Sequence, residues 1–388
     1  MKMALYIFLA LLVIIALAIV IFLQQPRFGK LPEGDELRVI KASPHYQDGE
    51  FKNPQDTPLF STDQSFASVL WDNLKNPGQR LRPESDMPVA DVDFFTLNPD
   101  QDLVIWLGHS SYYVQLAGKR FLIDPIFSQD ASPLPGVNRA FAGTTVFSAE
   151  DFPAIDYLLI SHDHYDHLDY PTVMALKDKV SMVFAGLGIG SMFRDWGYDP
   201  QKIVEGDWGQ NVALTDSLTL YFAPARHYSG RALKRNQTLW LGFILESSER
   251  RLLFSGDSGY GPHFAKLGQR FGGFDLVALD LGQYDQRWAY IHMTPEEAAT
   301  AAEELGTKLL LPAHVGRFTL AKHAWDEPFQ RITAASAGQS YSLVTPMIGE
   351  AIYFPAPSTE TYSAWWQTVE SIDDISATTI SPNLNSSN

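Results

Sequence analysis

The sequence predicts a mixed α/β fold behind an apolar N-terminal helix. Three observations carry this. From about residue 100 the chain breaks into short apolar runs separated by turn residues, the mark of buried strands. Between these runs lie capped helical stretches, above all "MTPEEAATAAEELG" (293–306). At the start, "MALYIFLALLVIIALAIVIFL" (3–23) contains no charge, Pro or Gly and is long enough to cross a bilayer as a helix.

Residues 3–23 read as an uncleaved, single-pass membrane anchor. A cleaved signal peptide is the alternative, but the run ends in "QQPRFGK", without a small-x-small cleavage site. Lys2 flanks one side and Arg27 and Lys30 the other, so charge does not set which side the remainder occupies. Residues 1–24 are thus the anchor and 25–79 a Pro- and Gly-rich linker that drapes over the body. Residues 80–355 form the main domain and 356–388 a Ser/Thr/Asn-rich tail, partly disordered. Within the linker "FASVLWDNLKN" (66–76) reads as a short amphipathic helix.

In the main domain "LVIWLGHSSYYVQLAGKRFLIDP" (103–125) reads as strand, turn, strand, with Gly118 in the turn. "IDYLLI" (155–160) is a strand, followed by a helix over 170–178 with Pro171 near its start. Strands follow over 181–186, 218–225, 238–247, 251–256 and 274–282. The helix at 293–306 begins with Thr294 as N-cap, Pro295 in its first turn and Glu297 completing a capping box. Gly306 ends it, and "TKLLLPAH" (307–314) is the next strand.

Composition narrows the chemistry. Asp plus Glu is 45 and Lys plus Arg 29, a formal charge of -16, which repels phosphate backbones, so no nucleic-acid partner is expected unless a local basic patch or bound metal reverses the field. There is no Cys, so disulfides and thiolate metal sites are excluded and any metal site uses His and carboxylates.

"SHDHYDHLD" (161–169) carries such residues directly after an apolar strand. His162 and His164 project to one side of an extended chain, and Asp166 and His167 can turn back to the same point. Capping residues at a strand–helix turn are the plainer reading for one His, not for H-x-H-x-D-H. His227, Asp257 and His314 each follow an apolar run as well. Seven donors exceed what one zinc takes and suit two cations about 3.5–4 Å apart. Asp257 is the candidate to bridge them, and a metal-held hydroxide the candidate nucleophile.

H-x-H-x-D-H followed by isolated His, Asp and His at strand ends resembles the metallo-β-lactamase fold superfamily. Within it, "WLGHSSYYVQLAGKRFLIDPIFSQDASP", "SHDHYDHLDY", "GDSGY" and "HMTPEEA" are similar to the N-acyl-phosphatidylethanolamine-hydrolysing phospholipase D family. The likeness spans roughly residues 80–340. It implies an αββα four-layer sandwich. One cation, most simply zinc, would sit on His162, His164 and His227, a second on Asp166, His167 and His314, with Asp257 shared. It also implies that Tyr165 and His292 face the substrate. Asp257, as the bridging carboxylate, and His292, as a proton donor to the leaving group, are the candidate catalytic residues. His109 is expected to line the site or to orient a ligand. Two departures stand out: Asp163 where the family usually has Thr, and "HVGRF" with Val315 and Arg317 in place of H-W-G-T-F. Arg317 is expected to pair with a phosphate or with a surface carboxylate.

The expected activity is hydrolysis of a phosphodiester, of a phospholipid held near the anchor or of another substrate of that class. The alternatives are a metallo-hydrolase of a lactone, lactam or small soluble phosphodiester, and a non-enzymatic envelope protein. "SAWWQ" (363–367) is expected in the core or at an interface. Oligomeric state is not legible in the sequence.

Overall fold

The computed structural model describes residues 2–62, 68, 71–72, 75–76, 78–355 and 362–369. The helix expected over 66–76 falls mostly outside these residues, and the tail from 370 lies wholly outside them. Among the described residues the chain forms two seven-stranded sheets. In the first, Lys119–Ile123, Ile155–Ile160, Val180–Gly186 and Ile203–Gly206 run parallel. Tyr112–Leu116, Leu103–Trp106 and Ala351–Tyr353 extend it antiparallel. In the second, Arg251–Phe254, Phe274–Asp280, Thr307–Ala313 and Ser342–Leu343 are parallel. Gly242–Ser247, Leu218–Ala223 and Asn211–Thr215 complete it antiparallel.

The pleat of each strand sorts its side chains between two layers. Tyr157 and Leu159 enter the core between the sheets, where they join Phe222, Phe243 and Phe254 from the other sheet. Leu158 and Ile160 point the opposite way, onto Val173 and Leu176 of the helix Tyr170–Leu176 and onto Ile189 and Phe193 of Ile189–Asp195. On the far side Leu253, Val277 and Leu310 meet Phe264 of His263–Phe271, Ala298 and Ala302 of Pro295–Leu305, and Ile332 of Glu327–Ala335. The layers are therefore helix, sheet, sheet, helix. The central strands are buried on both faces, which is why they read as apolar runs rather than alternations.

Several elements differ from expectation. Residues 103–125 hold three strands, because Gly108–Ser111 makes a turn before the one at Gly118. The strand expected from 238 begins at Gly242, since Thr238–Leu241 run over Leu187 and Ser161 as irregular chain. The Pro295–Leu305 helix has the expected capping box, with Thr294 Oγ1 accepting from the Glu297 amide and Gly306 left-handed at its end. Trp365 and Trp366 are buried in the inter-sheet core against Phe329.

The helix Lys2–Leu23 has no buried residue and is long and apolar enough to cross a membrane. Its base is fastened to the body. Phe28 is buried, Trp196 Nε1 donates to Pro26 O, and Arg27 Nη1 donates to Pro133 O. The following segment lies over chain that leaves Leu218–Ala223 and enters Gly242–Ser247, where Ile40 and Phe51 pack with Ala225, Leu239 and Trp240.

Candidate metal centre

The parallel strands of both sheets end at one edge, where side chains beyond their carboxyl ends converge. Ile155–Ile160 leads to His162, His164, Asp166 and His167. Leu218–Ala223 leads to His227, Arg251–Phe254 to Asp257, and Thr307–Ala313 to His314. All seven come together there. His162, His164, His227 and Asp257 form one group of donors within 4.8 Å of one another. Asp166, His167 and His314 form another, with His109. Asp257, Asp280, His292 and His314 form a third.

Asp257 stands between the first two. Its Oδ2 lies 3.7 Å from His162 Nε2 and 3.6 Å from His227 Nε2. Its Oδ1 lies 3.0 Å from His167 Nε2 and 3.1 Å from His314 Nδ1. His164 Nδ1 is 2.9 Å from His162 Nε2 and 3.2 Å from His227 Nε2. Donors at zinc distances from a tetrahedral centre stand roughly 3.3–3.4 Å apart, within the spread seen here. Buried Nε2 of His164 and Nε2 of His314 have no hydrogen-bond partner. Orphaned polar atoms at that density are a large desolvation cost unless a cation satisfies them. The donor set, imidazole and carboxylate without thiolate, suits zinc, iron or manganese.

The electrostatics point the same way. Burial pulls His164 down to about 3 and holds His162, His227 and His314 well below the ordinary imidazole value. Burial also pushes the Asp257 carboxyl up to about 7. His167 resists the same burial because Asp257, Asp166 and Asp124 surround it, so its proton is held more tightly than usual. A pocket that presents neutral imidazoles and holds protons between carboxylates is one in which cations can displace those protons.

Residues behind the cluster fix its imidazoles. His167 Nδ1 donates to Asp124 Oδ2 (2.8 Å) and His227 Nδ1 to Ile291 O (3.0 Å), which leaves each Nε2 for the cluster. Asp124 also accepts from the Ser161 amide and hydroxyl. His292 Nδ1 donates to Asp280 Oδ2 (2.7 Å). Asn53, from the N-terminal segment, donates through Nδ2 to His227 O at 2.7 Å. Neither Asp124, Asp280 nor Asn53 was expected. Asp124 and Asp280 sit at strand ends as Asp257 does, so the same rule applied to every strand would have found them. Asn53 had no sequence signal.

The backbone is held in conformations that side chains rarely adopt. His109, Asp124 and His314 have φ of 56°, 42° and 61°, each at a cost of roughly 1–3 kcal/mol. A bridge stabilises two of them: the His109 amide donates to Val315 O and the His314 amide to His109 O, both at 3.2 Å. Gly282 lies so close that a Cβ there would fall 1.9 Å from His314 O.

A cavity of about 360 Å3 opens over the cluster. His164, Asp166, His227, Asp257, His292 and His314 form its floor, and Leu59, Phe60, Trp288, Ile291 and Leu320 give it an apolar wall. Tyr165 lines it too, but its hydroxyl donates to Arg231 O at 2.8 Å and is committed to the backbone. His109 does not line the cavity: it is fully buried behind Asp166, with Nε2 3.0 Å from Asp166 Oδ2. Arg317 meets neither a phosphate site nor a surface carboxylate. It is buried, with Nη1 donating to Leu107 O and Nη2 to Ser128 O, and burial pulls its pKa down to about 10. Asp163 turns its charge away from the cluster, accepting from the Gly230 amide and the Thr238 hydroxyl.

Comparison with known proteins agrees with this geometry. Residues 119–315 match the β-lactamase superfamily domain. An uncharacterised protein of Mycobacterium tuberculosis is 36% identical over 334 residues, covering 85% of this chain and 89% of the relative. N-acyl-phosphatidylethanolamine-hydrolyzing phospholipase D 1 of Caenorhabditis elegans is 28% identical over 315 residues, 72% of this chain and 86% of that protein. Among solved structures, an isothiocyanate hydrolase from Delia radicum gut bacteria has a TM-score of 0.52 at 21% identity, over 65% of this chain and 98% of that one, which shows the fold alone. The chain belongs to the β-lactamase superfamily and is a metal-dependent hydrolase of the metallo-β-lactamase fold.

Proposed function

We propose that this protein is a membrane-anchored phosphodiesterase that hydrolyses a phospholipid, with two divalent cations, zinc the simplest choice, in the cluster. The observation that carries the reading is Asp257, which turns one carboxylate oxygen to each half of the cluster beneath an apolar-walled cavity. In this reading His162, His164 and His227 hold one cation, Asp166, His167 and His314 the other, and Asp257 both. The helix Lys2–Leu23 keeps the site beside its lipid, which raises the effective substrate concentration.

When bound, the cations supply Lewis acidity to phosphoryl oxygens and a water of lowered pKa. The chain's own residues do the rest. The apolar wall of Leu59, Phe60 and Trp288 takes the lipid's carbon chain and excludes water from it. Tyr165 adds a ring face beside His164. Asp280 fixes the His292 ring through Nδ1, which directs Nε2 into the cavity. Burial opposes a proton on His292, but Asp280 outweighs it and raises the pKa. His292 can therefore deliver a proton to the departing alkoxide oxygen, a poor leaving group without one.

The test is a digest of mixed phospholipids, N-acyl-phosphatidylethanolamine included, by the metal-loaded full-length protein in detergent, read by mass spectrometry. Release of phosphatidic acid and the free head-group alcohol is the expected result. Untouched lipid at full metal content would overturn the phospholipid assignment and leave the hydrolase standing.

A further inference from the structure

On the other side of the His227 segment lies a second cavity, of about 540 Å3, larger than the one over the cluster. Its lining runs against the composition of the chain. Arg226, Lys266 and Arg270 face it together with His45 and His263, and no carboxylate is among its described lining residues, in a protein with 45 acidic and 29 basic residues.

Among the described residues no carboxylate forms an ion pair with Arg226, Lys266 or Arg270, although Glu246 acts on Arg270, and Glu297 and Asp56 on Arg226, from farther off. Lys266 and Arg270 stand four residues apart on His263–Phe271, where like charges on one face repel. Arg226 is fixed by neutral acceptors only: Nε donates to Thr57 Oγ1 (3.0 Å), Nη1 to Tyr260 O (3.0 Å) and Nη2 to Asp56 O (2.9 Å). Its face lies on the Tyr290 ring. That accounts for three of the five N–H groups of a guanidinium and leaves donors for a ligand. Among the carboxylates nearby, Asp207 is engaged by His45 and Ser43, and Glu246 by Arg251 and Tyr221. Trp208, Pro224, Pro262 and Leu267 supply an apolar wall.

The cavity also backs onto the cluster. Arg226 immediately precedes His227, and Ser258 immediately follows Asp257. The Arg226 amide donates to Ser258 Oγ (3.0 Å), the Gly259 amide donates to Arg226 O (2.9 Å), and Ser258 Oγ lies 3.1 Å from His263 Nε2.

We propose that this cavity is a second ligand site, which takes a phosphate monoester with a small apolar portion. Three converging cations match a doubly charged tetrahedral anion, and the guanidinium fork suits its oxygens. A soluble phosphate ester and the head group of an anionic membrane lipid share this chemistry.

The test uses full-length, metal-loaded protein in nanodiscs of phosphatidylcholine, titrated calorimetrically with glycerol 3-phosphate. The double variant Lys266→Gln/Arg270→Gln changes only exposed side chains. The expected result is that it loses one binding event per chain or binds about tenfold more weakly, the effect of removing charge-assisted hydrogen bonds. The charge-conserving Lys266→Arg/Arg270→Lys retains binding, as does metal-depleted wild type, which separates this site from the cluster. Identical isotherms for wild type and the Gln variant would overturn the proposal. Phosphatidic acid in the nanodisc then assigns the source. Competition with glycerol 3-phosphate supports a lipid head group at the site, and unchanged affinity supports a soluble ester.

Discussion

Asp257 Oδ1 lies 3.0 Å from His167 Nε2, while the other oxygen of the same carboxylate faces His162 and His227. One side chain thus joins the two halves of the cluster. Asp257→Asn replaces one of these oxygens with a donor that cannot face a cation. It is expected to lower metal content by elemental analysis and to reduce kcat/KM by more than the roughly 100-fold that loss of an outer partner costs. Arg317→Met, which removes a cation that touches no part of the cavity, is expected to leave turnover per folded molecule little changed.

Asp124 acts through His167. Its Oδ2 accepts from His167 Nδ1 and Ser161 Oγ, which fixes the tautomer that leaves Nε2 free. Asp124→Asn keeps the shape but offers an amide that can present its donor face to Nδ1. Metal affinity, measured by competition with a chromophoric chelator, is expected to fall roughly 10–100-fold.

His292 is expected to separate chemistry from metal binding. It reaches Asp280 and the cavity and is outside the seven proposed ligands. His292→Ala should lower kcat by roughly 10²–10⁴ at nearly unchanged metal content. A matching loss of metal would reassign His292 as a ligand, in the third donor group it forms with Asp257, Asp280 and His314.

Arg231 clasps the turn that carries H-x-H-x-D-H. Its Nη1 donates to Asp163 O and Leu168 O, both at 2.7 Å, and its Nε and Nη2 donate to Arg27 O. The guanidinium stacks on Tyr165 at 4.1 Å. The base of the apolar helix and the metal turn therefore share one buried cation. Arg231→Ala leaves three carbonyls without it, and each such group costs roughly 1–3 kcal/mol. Denaturant unfolding should report a loss of about 3 kcal/mol or more, which Arg231→Lys only partly restores because it lacks the fork.

The features legible in the sequence are those that follow from local pattern. Strands buried on both faces read as apolar runs, and a complete capping box marked Thr294–Glu297. Polar residues directly after apolar strands marked seven positions that the fold gathers at one edge. Long-range geometry was not legible. Arg317 reads as a partner for a phosphate or a surface carboxylate until the fold buries it against Leu107 O and Ser128 O. The sequence leaves His109 open between lining the site and orienting a ligand, and only the fold, through the His109–Val315 bridge, places it behind Asp166. Asn53 reaches His227 across 174 residues of sequence, a contact no local pattern encodes. The left-handed backbone at His109, Asp124 and His314 belongs to the same class, since none is a glycine that would have announced it.

Whether Asp257 joins two cations is tested most directly by the metal content of purified full-length protein and of Asp257→Asn, measured side by side by elemental analysis. About two divalent cations per chain are expected in the wild type, with a marked loss from both halves of the cluster in the variant. A wild type that takes up no metal after supplementation, or a variant with undiminished metal and turnover, would contradict that role.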